Sequence, residues 1–431
     1  MSMTQAATVS DRMVHSALSF FEGLLGNYPP RDFNVRLWEG SLWGADPDEA
    51  RYTLVIRHPG ALRRMFLPAN QLTLGEAYLN DDFDIEGDME AAFALGDHIL
   101  SLDQGFWNKI RLGKALLSLP AESPSQAAGR GAELRGAVHS KKRDSLAVTY
   151  HYNVSNDFYR LWLDKWMVYS CAYFTSPGNS LDVAQEQKLD YICRKLRLRP
   201  GEKLLDIGCG WGGLILHAAR HYGVEALGIT LSRPQAELAN ERIREAGLAD
   251  RCRAEVCDYR EVGREGFFDK LVSVGMVEHV GESRLEEYFS CAWDLLRPGG
   301  VFLNHGITST LSHPDLPGPS FIDKYVFPDG ELLSIATILR TAETVGFEIR
   351  DLESLREHYA MTLRHWVRRL EAKHEEAVRL TDETTYRVWR LYMAGSAHGF
   401  KVGRINLYQA LLVKPDGNDS GMPLTRADWY A

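Results

Sequence analysis

The chain has 431 residues, of which 45% are hydrophobic and 25% charged, and a formal net charge of −9. That length exceeds one ordinary core and predicts two domains. The acidic balance excludes a global nucleic-acid footprint, and no apolar run approaches the roughly 18 residues of a membrane span.

Taken in chain order, the polar stretch Met1 to Arg12 lacks the apolar core of an export signal. Residues 1–120 read as a mixed α+β unit. Phe33 to Trp38 alternates, Glu39-Gly40 turns and Ser41 to Trp43 resumes, which predicts a hairpin. Tyr52 to Arg57 is a further strand, and helical patterning covers Leu72–Leu79 and Met89–Leu102. Lys109, Arg111 and Lys114 then alternate with Phe106, Trp107, Ile110, Leu112, Leu116, Leu117 and Leu119, followed by Arg130, Arg135, Lys141, Lys142 and Arg143. This pattern suits an interfacial helix on an anionic membrane. It suits equally a helix packed on its own domain with a solvated basic face. Residues 121–146, rich in Ala, Gly and Ser, read as a linker.

From 147 to 431 strands and helices alternate, predicting a doubly wound, mostly parallel sheet. Strands are expected at Lys203–Ile207, Ala226–Thr230, Cys252–Cys257, Lys270–Val274, Val301–His305, Phe347–Leu352 and Ile405–Val413. Helices are expected at Leu214–Tyr222, Pro234–Ala246, Leu285–Leu296 and Glu331–Val345. The cysteines, Cys171, Cys193, Cys209, Cys252, Cys257 and Cys291, form no Cys-x-x-Cys pair and no zinc-ligand spacing. They predict free thiols in a reduced, cytoplasmic protein without a metal.

Gly208-x-Gly210-x-x-Gly213 follows a strand and opens a helix, the setting of a nucleotide-binding turn. A dinucleotide fold needs an acid after the second strand for the ribose, and here that strand ends Gly228-Ile229-Thr230-Leu231-Ser232. Asp206 before the turn and Leu296-Arg297-Pro298-Gly299-Gly300 before the fifth strand resemble class I methyltransferases that use S-adenosylmethionine. On that resemblance Asp258 accepts from the adenine amino group, Tyr259 lies against the base, and Thr230 and Gln235 serve the ribose. Turn capping is the alternative for Thr230 and Asp258.

Further clusters sit at strand ends: Gly275 to Gly281, Asn304-His305-Gly306-Ile307, His151 to Tyr159, and Tyr169-Ser170-Cys171-Ala172-Tyr173-Phe174. With Phe321 to Gly330, His358 to Leu363 and Leu74-Gly75-Glu76-Ala77-Tyr78-Leu79, they resemble the cyclopropane-fatty-acyl-phospholipid synthase family over nearly the whole chain. The resemblance implies methyl transfer from S-adenosylmethionine to a cis double bond of a phospholipid acyl chain. Ring closure then follows, with bound bicarbonate removing a proton from the added methyl group. Cys171, Glu278, His305, the backbone at Ile307, and Tyr359 would hold the bicarbonate, and Tyr169 and Ser170 would join the cofactor site. Phe174, Tyr325, Phe327 and Trp366 suit either a lipid-tail channel or ordinary core, with core favoured for Trp366.

One departure concerns Ser396, which stands where the family usually has a cysteine. It is expected to be tolerated, lining the pocket. Relatives on this scaffold add a methyl or methylene branch instead of a ring, and a silent cofactor- or lipid-binding protein is the remaining alternative. The N-terminal unit is expected to dock on the inner face of the membrane and to support a homodimer.

Overall fold

Seven strands that alternate with helices form the sheet that positions everything below. The computed structural model describes residues 9–29, 32–46, 48–102, 106–121, 131, 138–141, 143–144, 146–147, 154–263, 265–312 and 319–430. The larger unit spans Ala132–Pro314, Phe327–Thr381 and Gly399–Ala431. The smaller comprises Met1–Gly131, Asp315–Val326 and Asp382–His398.

In the smaller unit, β1 (Phe33–Arg36), β2 (Leu42–Gly44), β3 (Tyr52–Ile56) and β4 (Phe83–Gly87) form a sheet of order β2-β1-β3-β4. The β1–β2 hairpin is antiparallel as expected, whereas β1 and β3 run parallel. Two late segments pack into this unit. Arg387 donates to the Tyr78 carbonyl at 2.9 Å and to Asp81 at 2.7 Å. Glu76 Oε1 accepts from Lys324 at 2.6 Å and from the Tyr325 hydroxyl at 3.0 Å. A Cβ on Gly75 would stand 2.4 Å from the Phe321 ring, so only glycine allows that approach. The segments Gly75–Glu76 and Phe321–Tyr325, far apart in sequence, therefore meet here. Tyr325 is core in this unit. Ser396 is buried on the helix Glu383–Val402, where the neighbouring His398 pairs with Asp97 at 2.8 Å.

The basic helix Phe106–Leu117 buries Leu112 and Leu116 within the smaller unit while Leu117 is 64% exposed. The side chains of Phe106, Trp107 and Lys109, and all of Arg130, Arg135 and Lys142, lie outside the described residues. No described helix is long and apolar enough to cross a membrane.

The larger unit carries β5 (Lys203–Ile207), β6 (Glu225–Thr230), β7 (Cys252–Val256), β8 (Phe268–Val274), β9 (Leu296–Ser309), β10 (Glu348–Ser354) and β11 (Ile405–Val413). Their order is β10-β11-β9-β8-β5-β6-β7. β5 to β9 run parallel, and β11 inserts antiparallel between β9 and β10. Helices cover both faces, so the central strands carry apolar pairs at their middles; Leu204, Leu205, Leu271 and Val272 are fully buried. Succession reverses at β5, with β6 on one side and β8 on the other. The carboxyl end of β5 is thus the switch point where such sheets bind ligands.

The expected elements of this unit are all present, with shifted bounds. The strand expected at Val301 begins at Leu296, with a register break opposite Phe268 and Lys270 where the Pro298-Gly299-Gly300 turn bulges out. The helix expected from Glu331 begins at Ile335, because Ser334 caps it. Within 121–146, read as linker from its composition, Lys141, Arg143 and Asp144 instead tie into this unit. Lys141 pairs with Glu261, Arg143 with Asp329, and Asp144 with Arg260. His151, Tyr152 and Asn153 lie outside the described residues.

Candidate active site

At the carboxyl end of β5 the chain needs three glycines. Gly208, Gly210 and Gly212 have φ of +89°, +53° and +79°, a region L side chains rarely enter. The turn delivers the chain into the helix Gly213–Tyr222, whose first N–H groups face the same opening. Around it lies a cleft with about 1380 Å³ of empty space, mouth included. Every residue assigned to the cofactor lines it: Tyr169, Ser170, Asp206, Gly208, Gly210, Gly213, Thr230, Gln235, Asp258 and Tyr259.

The cleft's polar groups fit a ligand with both cationic and hydroxyl groups. Asp206 Oδ1 is buried with no hydrogen-bond partner, and burial raises its pKa to about 7, partly offset by the Lys188 ammonium. An amino group is the partner such a carboxylate lacks. The Thr230 hydroxyl donates to Gln235 Oε1 at 2.8 Å and accepts from Ser232 N–H at 3.1 Å. Asp258 lines the cleft and takes the capping role that the sequence left as its alternative. It caps the turn through Arg260 N–H at 3.0 Å and is gripped by the Arg260 guanidinium at 2.6 and 2.8 Å. Burial works to raise its pKa, but the hydrogen bonds from Arg260 prevail and hold it lowered.

Of the residues assigned to the acceptor, Cys171, Glu278, His305, Ile307 and Tyr359 gather outside the cleft lining, at a corner of the larger unit near the end of β9, whereas Ser396 belongs to the smaller unit and does not line the cleft. Cys171 is buried next to Ser170, its thiol 3.2 Å from the Ala172 carbonyl and 3.8 Å from that of Leu355. Leu355 N–H reaches the Leu407 carbonyl at 2.8 Å, and Leu407 pairs with Ile307 across β11 and β9. Ile307 N–H donates to Glu278 Oε1 at 2.7 Å. Tyr359 follows Leu355 by one helical turn, its N–H on the Leu355 carbonyl. His305 lies two residues before Ile307 on β9, on the same face of the strand, and its carbonyl accepts from Gly275 N–H in the cleft wall.

Two buried atoms in this corner have no partner: Glu278 Oε2 and His305 Nε2. Burial raises the Glu278 pKa to about 7, opposed by the Ile307 hydrogen bond. Burial, then the charges of Lys188 and Lys195, push His305 well down, so its imidazole is neutral. Burial raises the Cys171 thiol, which keeps it protonated and unlike an activated nucleophile. Ile307 departs from expectation, because its N–H is already taken by Glu278. Of the aromatics, Trp366 is fully buried, its ring centre 5.3 Å from that of Tyr169 and 6.0 Å from that of Tyr359. Phe174 stacks on His365 and Phe327 stands edge-on to His279.

Several contributors escaped the sequence reading. Lys188 is buried in the cleft wall and donates to Ser170 Oγ at 3.0 Å. Its helix, Leu181–Leu196, was not singled out, although Ser180 caps it. Arg260 follows Asp258 by two residues, and Asp144 sat in the supposed linker. Gln409 lies opposite His305 on β11. Among the described residues no group of three or more His, Cys, Asp or Glu could hold a metal.

Comparison with known proteins meets this geometry. The family described as mycolic acid cyclopropane synthetase matches residues 139–410. A probable fatty acid methyltransferase of Pseudomonas putida is 41% identical over 92% of this chain and 95% of its own length. The cyclopropane-fatty-acyl-phospholipid synthase of Escherichia coli is 33% identical over 89% and 92%. Among solved structures, mycolic acid cyclopropane synthase CmaA1 complexed with SAH and CTAB superposes with a TM-score of 0.59 and 35% identity. That alignment covers 62% of this chain and 97% of the other. The glycine turn, the switch-point cleft and these relatives together make the chain a member of the mycolic acid cyclopropane synthetase family of S-adenosylmethionine-dependent methyltransferases.

Proposed function

We propose that the protein methylates a cis double bond in an unsaturated acyl chain of a membrane phospholipid and closes a cyclopropane ring, with bicarbonate as proton acceptor. The observation that carries this reading is the pair of buried, unpartnered atoms Glu278 Oε2 and His305 Nε2 beside the cofactor cleft. A buried acceptor and a buried ring nitrogen left open together call for a small polar partner.

S-adenosylmethionine, when bound, supplies a methyl group on a cationic sulfur. Asp206 would hold its amino group, Thr230 and Gln235 its ribose, and Asp258 the adenine amino group through the lone pair that Arg260 leaves. Tyr259 would lie against the base. An isolated alkene is a weak nucleophile, so the site must exclude water; the rings of Tyr169, Tyr359 and Trp366 do this at the corner. Glu278, His305 and Tyr359 would hold bicarbonate, which would supply the proton acceptor that ring closure requires. Glu278 Oε2 would accept its OH, and His305 and the Tyr359 hydroxyl would offer donors to its charged oxygens. Ile307 N–H orients Glu278, and Cys171 shapes the wall.

A second reading, a methyl- or methylene-branched product, is favoured by relatives named probable fatty acid methyltransferase at 41% and 37% identity. Ser396 in place of the usual cysteine points the same way. The acceptor would be met at the inner face of an anionic membrane, through the exposed side of the helix Phe106–Leu117, with a homodimer as the working assembly.

Vesicles of unsaturated phospholipid incubated with labelled S-adenosylmethionine test this directly by mass analysis of the acyl chains. Gain of CH2 with loss of the alkene is expected. Gain with the alkene retained establishes the branched product instead, and unmodified acyl chains overturn both readings.

A further inference from the structure

His305 presents its second ring nitrogen to Gln409. The two residues stand opposite each other in the β9–β11 register, and both are fully buried. Gln409 Nε2 lies 3.1 Å from His305 Nδ1, while Gln409 Oε1 has no partner. With the amide nitrogen turned to the ring, Nδ1 accepts, because an amide nitrogen can only donate. A neutral imidazole carries one N–H, and the hydrogen bond at one nitrogen decides where that proton sits. With Nδ1 accepting, the proton is on Nε2, a buried atom with no partner.

We propose that Gln409 is a positioning residue that fixes the Nε2–H tautomer of His305, so that the corner offers a hydrogen-bond donor to an anionic oxygen. This rests on the oxyanion reading given above, and it assigns Gln409 a purpose beyond the strand pairing. The alternative tautomer would leave a bare acceptor at Nε2, which repels an oxyanion.

Long-range proton–nitrogen correlation on histidine-labelled full-length protein reads the tautomer. In the wild type, a pyrrole-like Nε2 and a pyridine-like Nδ1 are expected for His305. A pyrrole-like Nδ1 overturns the proposal without any variant being made. Gln409→Glu supplies an acceptor at the same reach and is expected to move the proton to Nδ1. An unchanged tautomer in that variant also overturns it. In turnover, Gln409→Glu should lower kcat roughly 10- to 100-fold, the scale for removing a group that orients a functional imidazole, with the KM for S-adenosylmethionine unchanged. Gln409→Met, which neither donates nor accepts at Nδ1, should fall between wild type and Gln409→Glu. Bicarbonate depletion separates the two readings. If the tautomer behaves as stated but wild-type turnover is indifferent to depletion, the oxyanion reading fails and the positioning role stands.

Discussion

The cofactor cleft and the acceptor corner adjoin along β8 and β9, yet they are built by opposite means. The cleft is made by backbone: positive-φ glycines, a helix N-terminus and the ends of consecutive parallel strands. The corner is made by side chains from segments nearly 240 residues apart, Cys171 to Gln409, brought together by the antiparallel insertion of β11. Backbone recognition suits a ligand common to many methyltransferases. A corner of buried side chains suits a reaction that only some of them perform.

The largest expected effect separates the two regions at Glu278. Glu278→Gln keeps an oxygen for Ile307 N–H but puts an amide NH2 where Oε2 would accept the bicarbonate OH, so the base is misoriented and kcat should fall by about 10²- to 10⁴-fold while calorimetry finds S-adenosylmethionine affinity unchanged. Equal loss of both would contradict the division. Since burial raises the Glu278 pKa to about 7, wild-type kcat should rise with pH through that value, and the Gln variant should lose that limb. Stability runs the other way. Between the ordinary 4.5 and about 7 the folded state holds a proton that the unfolded state has released, so stability falls as pH rises through that window. Glu278→Gln removes this cost and should be more stable above pH 7 by up to about 3 kcal/mol, at 1.36 kcal/mol per pH unit, in urea unfolding.

Paired glycine substitutions sharpen the contrast. A Cβ on Gly228 would stand 2.7 Å from both Cβ and Sγ of Cys209, inside the cofactor turn. A Cβ on Gly306 would meet Val277 Cγ1, and Glu278 Cδ lies 3.8 Å away. Overpacking of this kind costs about 1–3 kcal/mol. Gly228→Ala should therefore weaken S-adenosylmethionine binding roughly ten- to a hundredfold. Gly306→Ala should spare binding and lower kcat instead. The reverse pattern would show that the two regions are not separable.

This difference also explains what could be read from the sequence. The strands β5 to β8 announce themselves as short apolar runs between helical patterns, and Asp206 to Gly213 needs glycine at fixed spacing. Both are local signals. The identities of Glu278 and His305 were available only through resemblance to known motifs, since a lone glutamate or histidine after a strand has no periodic signature. Lys188 and Gln409 carried no signal at all. Lys188 reads as a solvated position of an amphipathic helix, and Gln409 as a polar interruption in the apolar run Ile405–Val413; burial alone makes them matter. The stretch 121–146 misled because an Ala-, Gly- and Ser-rich composition predicts flexibility, whereas Arg143 and Asp144 within it find partners at Asp329 and Arg260 that lie far away in sequence.

The smallest expected effect concerns the basic helix Phe106–Leu117. The sequence allowed either a bilayer face or a helix packed at home, and burial of Leu112 and Leu116 shows that part of the apolar side is spent within the smaller unit. Among the described side chains of this helix, those left for a membrane are its charges and Leu117, and charge near an anionic surface contributes about 1 kcal/mol per basic residue. Neutralising Lys109, Arg111 and Lys114 together should weaken flotation with anionic vesicles by at most about 3 kcal/mol, with steep salt dependence in the wild type only. It should leave turnover on detergent-dispersed unsaturated lipid unchanged, because the chemistry lies in the other unit. Undiminished flotation of the triple variant would remove this helix from the docking surface and leave the membrane contact to be sought elsewhere on the smaller unit.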